Sequence, residues 1–212
     1  MAIKKKVHLV QKREEGTFDR AKKFFLKEEK AVRSDKKKQL VFFVLGFLLF
    51  YLILTTIVGI VPQVFFKSTT GNVVQVLLSL QGVQTQNGVI LECNEFSWVM
   101  DYATGECYSF FAKEKQIIIS WLCTGILEII ILISAILASF GISWNKKIIG
   151  AGVAIVAGVI FNLARILITV NFILTQSGPV VELAHDVLFR IVLFIYIVLV
   201  YVLWFNWANG KK

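Results

Sequence analysis

An all-α integral membrane protein with four transmembrane helices, a small extracytoplasmic amphipathic helix and a β-hairpin is the fold this sequence predicts, on three observations. Of the 212 residues, 57% are hydrophobic and 13% aromatic, above the roughly half-apolar balance of a soluble domain. Four nearly uncharged apolar stretches, 40–61, 117–140, 148–174 and 187–208, match the about 20 helical residues that cross a hydrocarbon core. The basic residues are distributed unevenly: residues 1–38 hold 14 Lys or Arg against 6 acids, which is nearly all of the formal +9.

The charge sets the expected orientation. The basic arm, 1–38, stays cytoplasmic by the positive-inside rule. It is followed by the first transmembrane helix, 39–61, an extracytoplasmic segment, 62–116, and a three-helix transmembrane core, 117–212. With four spans, the loop "GISWNKK" (141–147) and the tail "NGKK" (209–212) also fall inside, each with two lysines. Both termini are then cytoplasmic in a multi-pass protein of the cell membrane. The apolar run at 39–61 is too long, and too far from the start of the sequence, for a cleavable signal peptide. Lysines and acids alternate in the arm, with no interleaved aromatic platform, so nucleic acid is not an expected partner. An interfacial helix over 17–32, with Phe18, Ala21 and Phe25 on one face, would hold the arm against anionic headgroups.

The outer segment of some fifty residues is more than a connector. In "GNVVQVLLSLQG" (71–82), Val73, Leu77 and Leu80 recur at helical spacing beside Val74 and Leu78, predicting an amphipathic helix along the outer surface. Asn87-Gly88, flanked by alternating Val83/Thr85 and Val89/Leu91, predicts a two-residue hairpin turn. Cys93 and Cys107 share this segment, where an oxidising exterior allows a disulfide. Pairing there leaves Cys123 as the remaining thiol.

Ionisable groups in a bilayer cost about 2.5–3.5 kcal/mol each on insertion scales, so each needs a partner or a purpose. They are Glu128, Arg165 and Arg190, with His185 and Asp186 at the rim. Read as helices of opposite direction, the second span places Cys123 ~9 Å below the outer boundary and the third places Arg165 ~9–14 Å below it. His185 precedes the fourth span on the same side. A thiol, a guanidinium and an imidazole from three segments thus meet at one depth. Cysteine acts as a nucleophile in its thiolate form, which a neighbouring cation favours. Arginine keeps its charge when partly desolvated and can donate to a thiolate or an oxyanion. Histidine moves protons near neutral pH, oriented here by Asp186 or Glu182. Arg190 reads as a snorkelling side chain, and Glu128 as an ion-pair partner of an arginine or a protonated carboxyl facing the bundle.

At these residues the sequence resembles the exosortase/archaeosortase family of membrane cysteine transpeptidases. The matching motifs are "CTGI" (123–126), "NLAR" followed by Ile166 (162–166) and "AHD" (184–186), in the family's order and over residues 70–205. The resemblance implies Cys123 as nucleophile, Arg165 as stabiliser of thiolate and transition state, and His185 as general acid/base. Asn162 supports Arg165 from one turn away, and Thr124, Gly125 and Asp186 complete the motifs. It further implies, as substrates, exported proteins whose C-terminal sorting signal combines a short motif, a transmembrane helix and a basic cluster. Cleavage would pass through a thioester to an amine acceptor such as a lipid headgroup, or to water. This chain is more compact than many members, and "HDVLFR" has no glycine soon after the histidine.

No cofactor or metal is expected; His8 and His185 fall on opposite sides of the membrane, which disfavours a histidine metal site. A thiol-disulfide oxidoreductase would need a close reactive cysteine pair, and the sequence has no C-x-x-C. A non-catalytic protein that binds sorting signals is the other alternative.

Overall fold

The structure is a computed structural model that describes residues 36–95, 103–175 and 189–210. The expected interfacial helix at 17–32 lies outside the described residues, as do His8, Glu182, His185 and Asp186 and the side chain of Arg190. The chain divides into two compact units, 1–45 and 46–212, with the division inside the first helix.

That helix, α1, runs from Lys36 to Gly59 and is apolar on all sides, as a membrane span requires. In the second unit, α2 (Gln63–Leu80) is followed by β1 (Val89–Glu95), β2 (Ala103–Ala112) and β3 (Lys115–Ile119). A 3-10 turn (Trp121–Thr124) then leads into α3 (Ile126–Ala138), α4 (Trp144–Thr175) and α5 (Phe189–Asn209). Three helices, at Lys37–Gly59, Trp144–Thr175 and Ile191–Asn209, are long and apolar enough to cross a membrane.

The stretch 117–140, expected as one span, is divided. Its first residues belong to β3, and only 13 residues form α3, about 20 Å at the helical rise against a hydrocarbon core of about 30 Å. An apolar run does not by itself distinguish strand from helix, and the periodicity of burial identifies the strand: Ile117 and Ile119 are 4% and 2% exposed while Ile118 between them is 47% exposed. Gly125, at φ +72°, then stops any helix from continuing upstream, because left-handed backbone cannot extend a right-handed helix.

The hairpin expectation also needs correction. The sheet has the antiparallel order β1-β2-β3. Thr85 bridges Ala112, and Val89 pairs with Ser109. Both flanks of Asn87-Gly88 therefore lie along β2, and the five residues from 85 to 89 oppose the four from 109 to 112, the count of a bulge. Gly88 is needed for a close approach instead: a side chain there, or at Gly71 on α2, would overlap the Tyr108 ring. Tyr108 is 5% exposed, its hydroxyl donates to Asn72 Oδ1 and lies 2.9 Å from Gln75 Oε1, and burial raises its pKa.

The helix expected in 71–82 is real but starts earlier, at Gln63. Its buried stripe is Lys67, Gly71, Val74 and Leu78, while Val73 and Leu80 face outward. The buried ammonium of Lys67 donates to the Glu106 carbonyl at 2.7 Å, fixing α2 to β2. Cys93 and Cys107 are bridged across β1 and β2, with Cα atoms 5.9 Å apart.

Two cores lie at opposite ends of α4. One joins the sheet and α2 to Ile166 and Val170. The other joins Leu132, Ile136 and Ile142 to Ala154, Trp204 and Ala208. Along α4 the buried residues after Lys147 are Gly150, Ala154, Gly158, Asn162, Ile166 and Val170, one every four residues. The small ones allow close helix approach, as at membrane helix interfaces: an added Cβ at Gly158 would stand 2.6 Å from Ile129 Cγ1.

If Tyr108 locks α2 to the sheet, Gly71→Ala should destabilise the protein by about 1–3 kcal/mol, the usual cost of overpacking. Thermal unfolding in detergent measures this; a melt unchanged from wild type would show that the ring has room to move.

Candidate active site

Cys123 lies in the 3-10 turn rather than six residues down a helix. Its backbone N–H donates to the Ser120 carbonyl at 3.0 Å, and its sulfur is 3.4 Å from Ser120 Oγ. Thr124 is buried, with its hydroxyl donating to the Trp121 carbonyl at 2.7 Å. The side chain of Thr124 therefore shapes the turn and does not face an open site. The half-buried Cys123 packs against the sheet-side core.

From the other side, α4 reaches the turn through Asn162 and Arg165. Asn162 is 6% exposed; its Nδ2 donates to the Cys123 carbonyl at 2.9 Å, and its Oδ1 accepts from Arg165 Nη2 at 3.0 Å. Arg165 Nη2 also donates to the Leu122 carbonyl at 3.2 Å. The guanidinium is thus tied to the backbone beside the thiol rather than to the sulfur. Gly125 makes this possible for two reasons: its φ of +72° favours glycine, and a Cβ there would stand 2.6 Å from Asn162 Cγ.

Of the residues expected at the site, the structure brings together Cys123, Thr124, Gly125, Asn162 and Arg165. His185 and Asp186 lie outside the described residues. Glu128, a turn below Gly125, forms no ion pair among the described residues. It lines a small cleft between α3, α4 and α5, with a cavity volume of about 10 Å³, together with Gly125, Gly158, Phe161, Asn162 and Tyr196. Among the described residues no group of three or more His, Cys, Asp or Glu could hold a metal ion.

Two participants were not singled out from the sequence. Ser120 gives no signal, since its role depends on the strand ending where it does. Tyr196 is one of many aromatic residues in an apolar run, and only the packing of α5 shows that it shares the Glu128 cleft.

No protein-family model, curated protein or solved structure matches the chain.

Asn162→Ala removes the donor to a partly buried carbonyl and the acceptor for Arg165, and should cost about 1–3 kcal/mol, the penalty for a buried polar group left unsatisfied. Iodoacetamide should also alkylate Cys123 several-fold faster as the turn loosens. Wild-type rates of both unfolding and alkylation would show that Asn162 does not hold the turn.

Proposed function

We propose that the chain is a membrane-embedded cysteine transpeptidase of the exosortase/archaeosortase type. It would process C-terminal sorting signals of exported proteins and pass the acyl group to an amine, such as a lipid headgroup. The observation that carries this reading is the hydrogen-bonded link between the two motif segments: Asn162 and Arg165 hold the backbone of Leu122 and Cys123. Motifs 39 residues apart in sequence are thereby neighbours, which the resemblance requires and composition does not.

In the proposed reaction His185 takes the Cys123 proton, and the thiolate attacks the carbonyl carbon of the scissile peptide. The C–N bond breaks, and the proton passes from the imidazolium to the leaving amine. The thioester is then attacked by the acceptor amine as its free base; the amine's proton passes to the His185 imidazole as the C–S bond breaks, and the imidazolium returns it to the released thiolate. Arg165, anchored one residue from the nucleophile, needs a rotation of its side chain to reach the developing oxyanion, to which its guanidinium fork can donate. The first turn of α3 begins three residues after Cys123, and the positive end of a helix also favours an anionic sulfur.

In the membrane, α3 would complete a fourth crossing together with the strand and turn before it. The arm, the 141–147 loop and the tail would be cytoplasmic, and the site would lie at the extracytoplasmic leaflet. A substrate helix docked laterally would bring its motif to the Cys123 turn, and orientation of this kind can supply much of the rate.

Cys123→Ala and Arg165→Ala should each leave a folded, inserted protein and abolish processing of a co-expressed protein with a tripartite C-terminal tail, read as accumulated precursor on an immunoblot. Normal processing by Cys123→Ala would exclude the thioester route. His185→Ala should reduce turnover by at least about a hundred-fold, the range for loss of a general acid/base.

A further inference from the structure

The cleft beneath the Cys123 turn has no role in the reaction as described. It carries two polar groups that have no partner among the described residues. Glu128 is half-buried on its wall and has no ion-pair partner among the described residues. The Tyr196 hydroxyl is buried with no hydrogen-bond partner among them. Buried polar atoms are normally paired, and an orphan in a native fold calls for an explanation. The two residues are on different helices, α3 and α5, and line the same space.

The chemistry of the walls indicates what would fill it. Glu128 is the only ionisable acid or base among the lining residues apart from the Tyr196 phenol. It occupies the first turn of α3, the end of a helix at which negative charge is favoured. A half-buried acid with no ion-pair partner among the described residues leaves room for a partner able to donate to it. The guanidinium of Arg165 is held above the cleft by Leu122 and Asn162. Tyr196 stacks on Phe161, with ring centroids 4.0 Å apart and planes at 11°, so an aromatic pair lies beside the carboxylate. A carboxylate, a phenol oxygen able to accept, and aromatic rings together suit a small cation bearing N–H donors.

We infer that this cleft binds a primary ammonium group, with Glu128 as its counter-ion and the Tyr196 oxygen as a second acceptor. Gly125 and Asn162, the residues that seat the Cys123 turn, also line the cleft, so the bound amine is held next to the turn that carries the nucleophile. On the transpeptidase reading proposed above this is the acceptor site; the binding itself does not depend on that reading.

Binding can therefore be measured without turnover. The full-length protein is placed in phosphatidylcholine nanodiscs doped with phosphatidylethanolamine, and the lipids retained after gentle release are counted by native mass spectrometry. Phosphatidylcholine has the same phosphate and a positive nitrogen but no N–H. The wild type should retain phosphatidylethanolamine preferentially. Glu128→Gln should weaken that preference about ten-fold or more, as expected for loss of a hydrogen bond to a charged group, and Tyr196→Phe should weaken it less. A parallel titration with free ethanolamine identifies the source: competition by ethanolamine assigns the site to soluble amines as well as headgroups, and its absence assigns it to the lipid. Equal retention of both lipids by the wild type, with no ethanolamine binding, overturns the inference whether or not the variants fold. Undiminished preference in a Glu128→Gln protein that melts like wild type overturns the role of Glu128. Selective amine binding by a protein with no transpeptidase activity would leave the site standing and remove the reaction.

Discussion

The contact on which the rest depends is a carboxamide placed against a turn with no side chain between them. Asn162 donates to the Cys123 carbonyl at 2.9 Å across the space that a Cβ on Gly125 would fill. Lipid is as apolar as a leucine side chain, so helices in a bilayer gain little from burying apolar surface against one another. They associate through close packing and interhelical hydrogen bonds. The α4 stripe follows that rule in order: Gly150, Ala154 and Gly158 bring backbones close, Asn162 supplies the polar link, and Ile166 and Val170 enter the sheet-side core. Shifting α4 along its axis would lose the packing and the hydrogen bond together, so one register is strongly favoured.

A second constraint is the satisfaction of carbonyls at helix ends, where the last turn has no intrahelical donors. Each helix of the core receives a lysine from elsewhere in the chain. Lys147 donates to the Leu137 carbonyl at the end of α3, at 2.7 Å, and Lys146 to Ala208 at the end of α5, at 2.6 Å. Lys115, the first residue of β3, donates to the Ile173 carbonyl near the end of α4. Cations at helix C-termini also interact favourably with the macrodipole. The lysines of the 141–147 loop, whose sequence signal was one of orientation, thus have a structural task as well. They gather the C-terminal ends of α3 and α5 at the start of α4, giving the alternating directions that the sequence reading assumed.

What could be read from the sequence was the part that depends on long-range averages or on chemistry. Hydropathy located α1, α4 and α5 within a few residues because an apolar run of twenty or more has few alternatives. The amphipathic helix was seen through Val74 and Leu78, although its buried Lys67 half was not, since a lysine breaks the apolar pattern. The nearness of Cys123 and Arg165 was expected from their depths and the link from Asn162 to Arg165 from the resemblance, whereas the bond from Asn162 to the Cys123 carbonyl was not foreseen. The nature of the turn was not, because Ile117 to Ile119 look alike to a hydropathy window whether they alternate faces or not. Asn87-Gly88 carried a hairpin signal that was real as chemistry and misplaced as structure: a glycine that accommodates Tyr108 cannot be told from one that accommodates a turn until Tyr108 is placed. The partner of Gly88 is twenty residues away, beyond any local pattern.

The break at Gly125 has a consequence for the proposed chemistry. Had 117–140 been one helix, the backbone around Cys123 would be committed to the helical ladder, and no helix would begin near the sulfur. With the strand ending at Ile119 and α3 beginning at Ile126, the first backbone N–H groups of α3 have no helical acceptor and carry its partial positive charge immediately after the nucleophile. Strand, turn and helix start thus place a thiol between a core on one side and a set of donors on the other. A shorter apolar helix is the accompanying cost, and the close packing of α3 on α4 at Gly158 and Ile129 offsets it by anchoring α3 along its length. Local irregularity in an otherwise regular bundle is tolerated where protein rather than lipid surrounds it, and the sheet-side core and α4 cover one side of this turn.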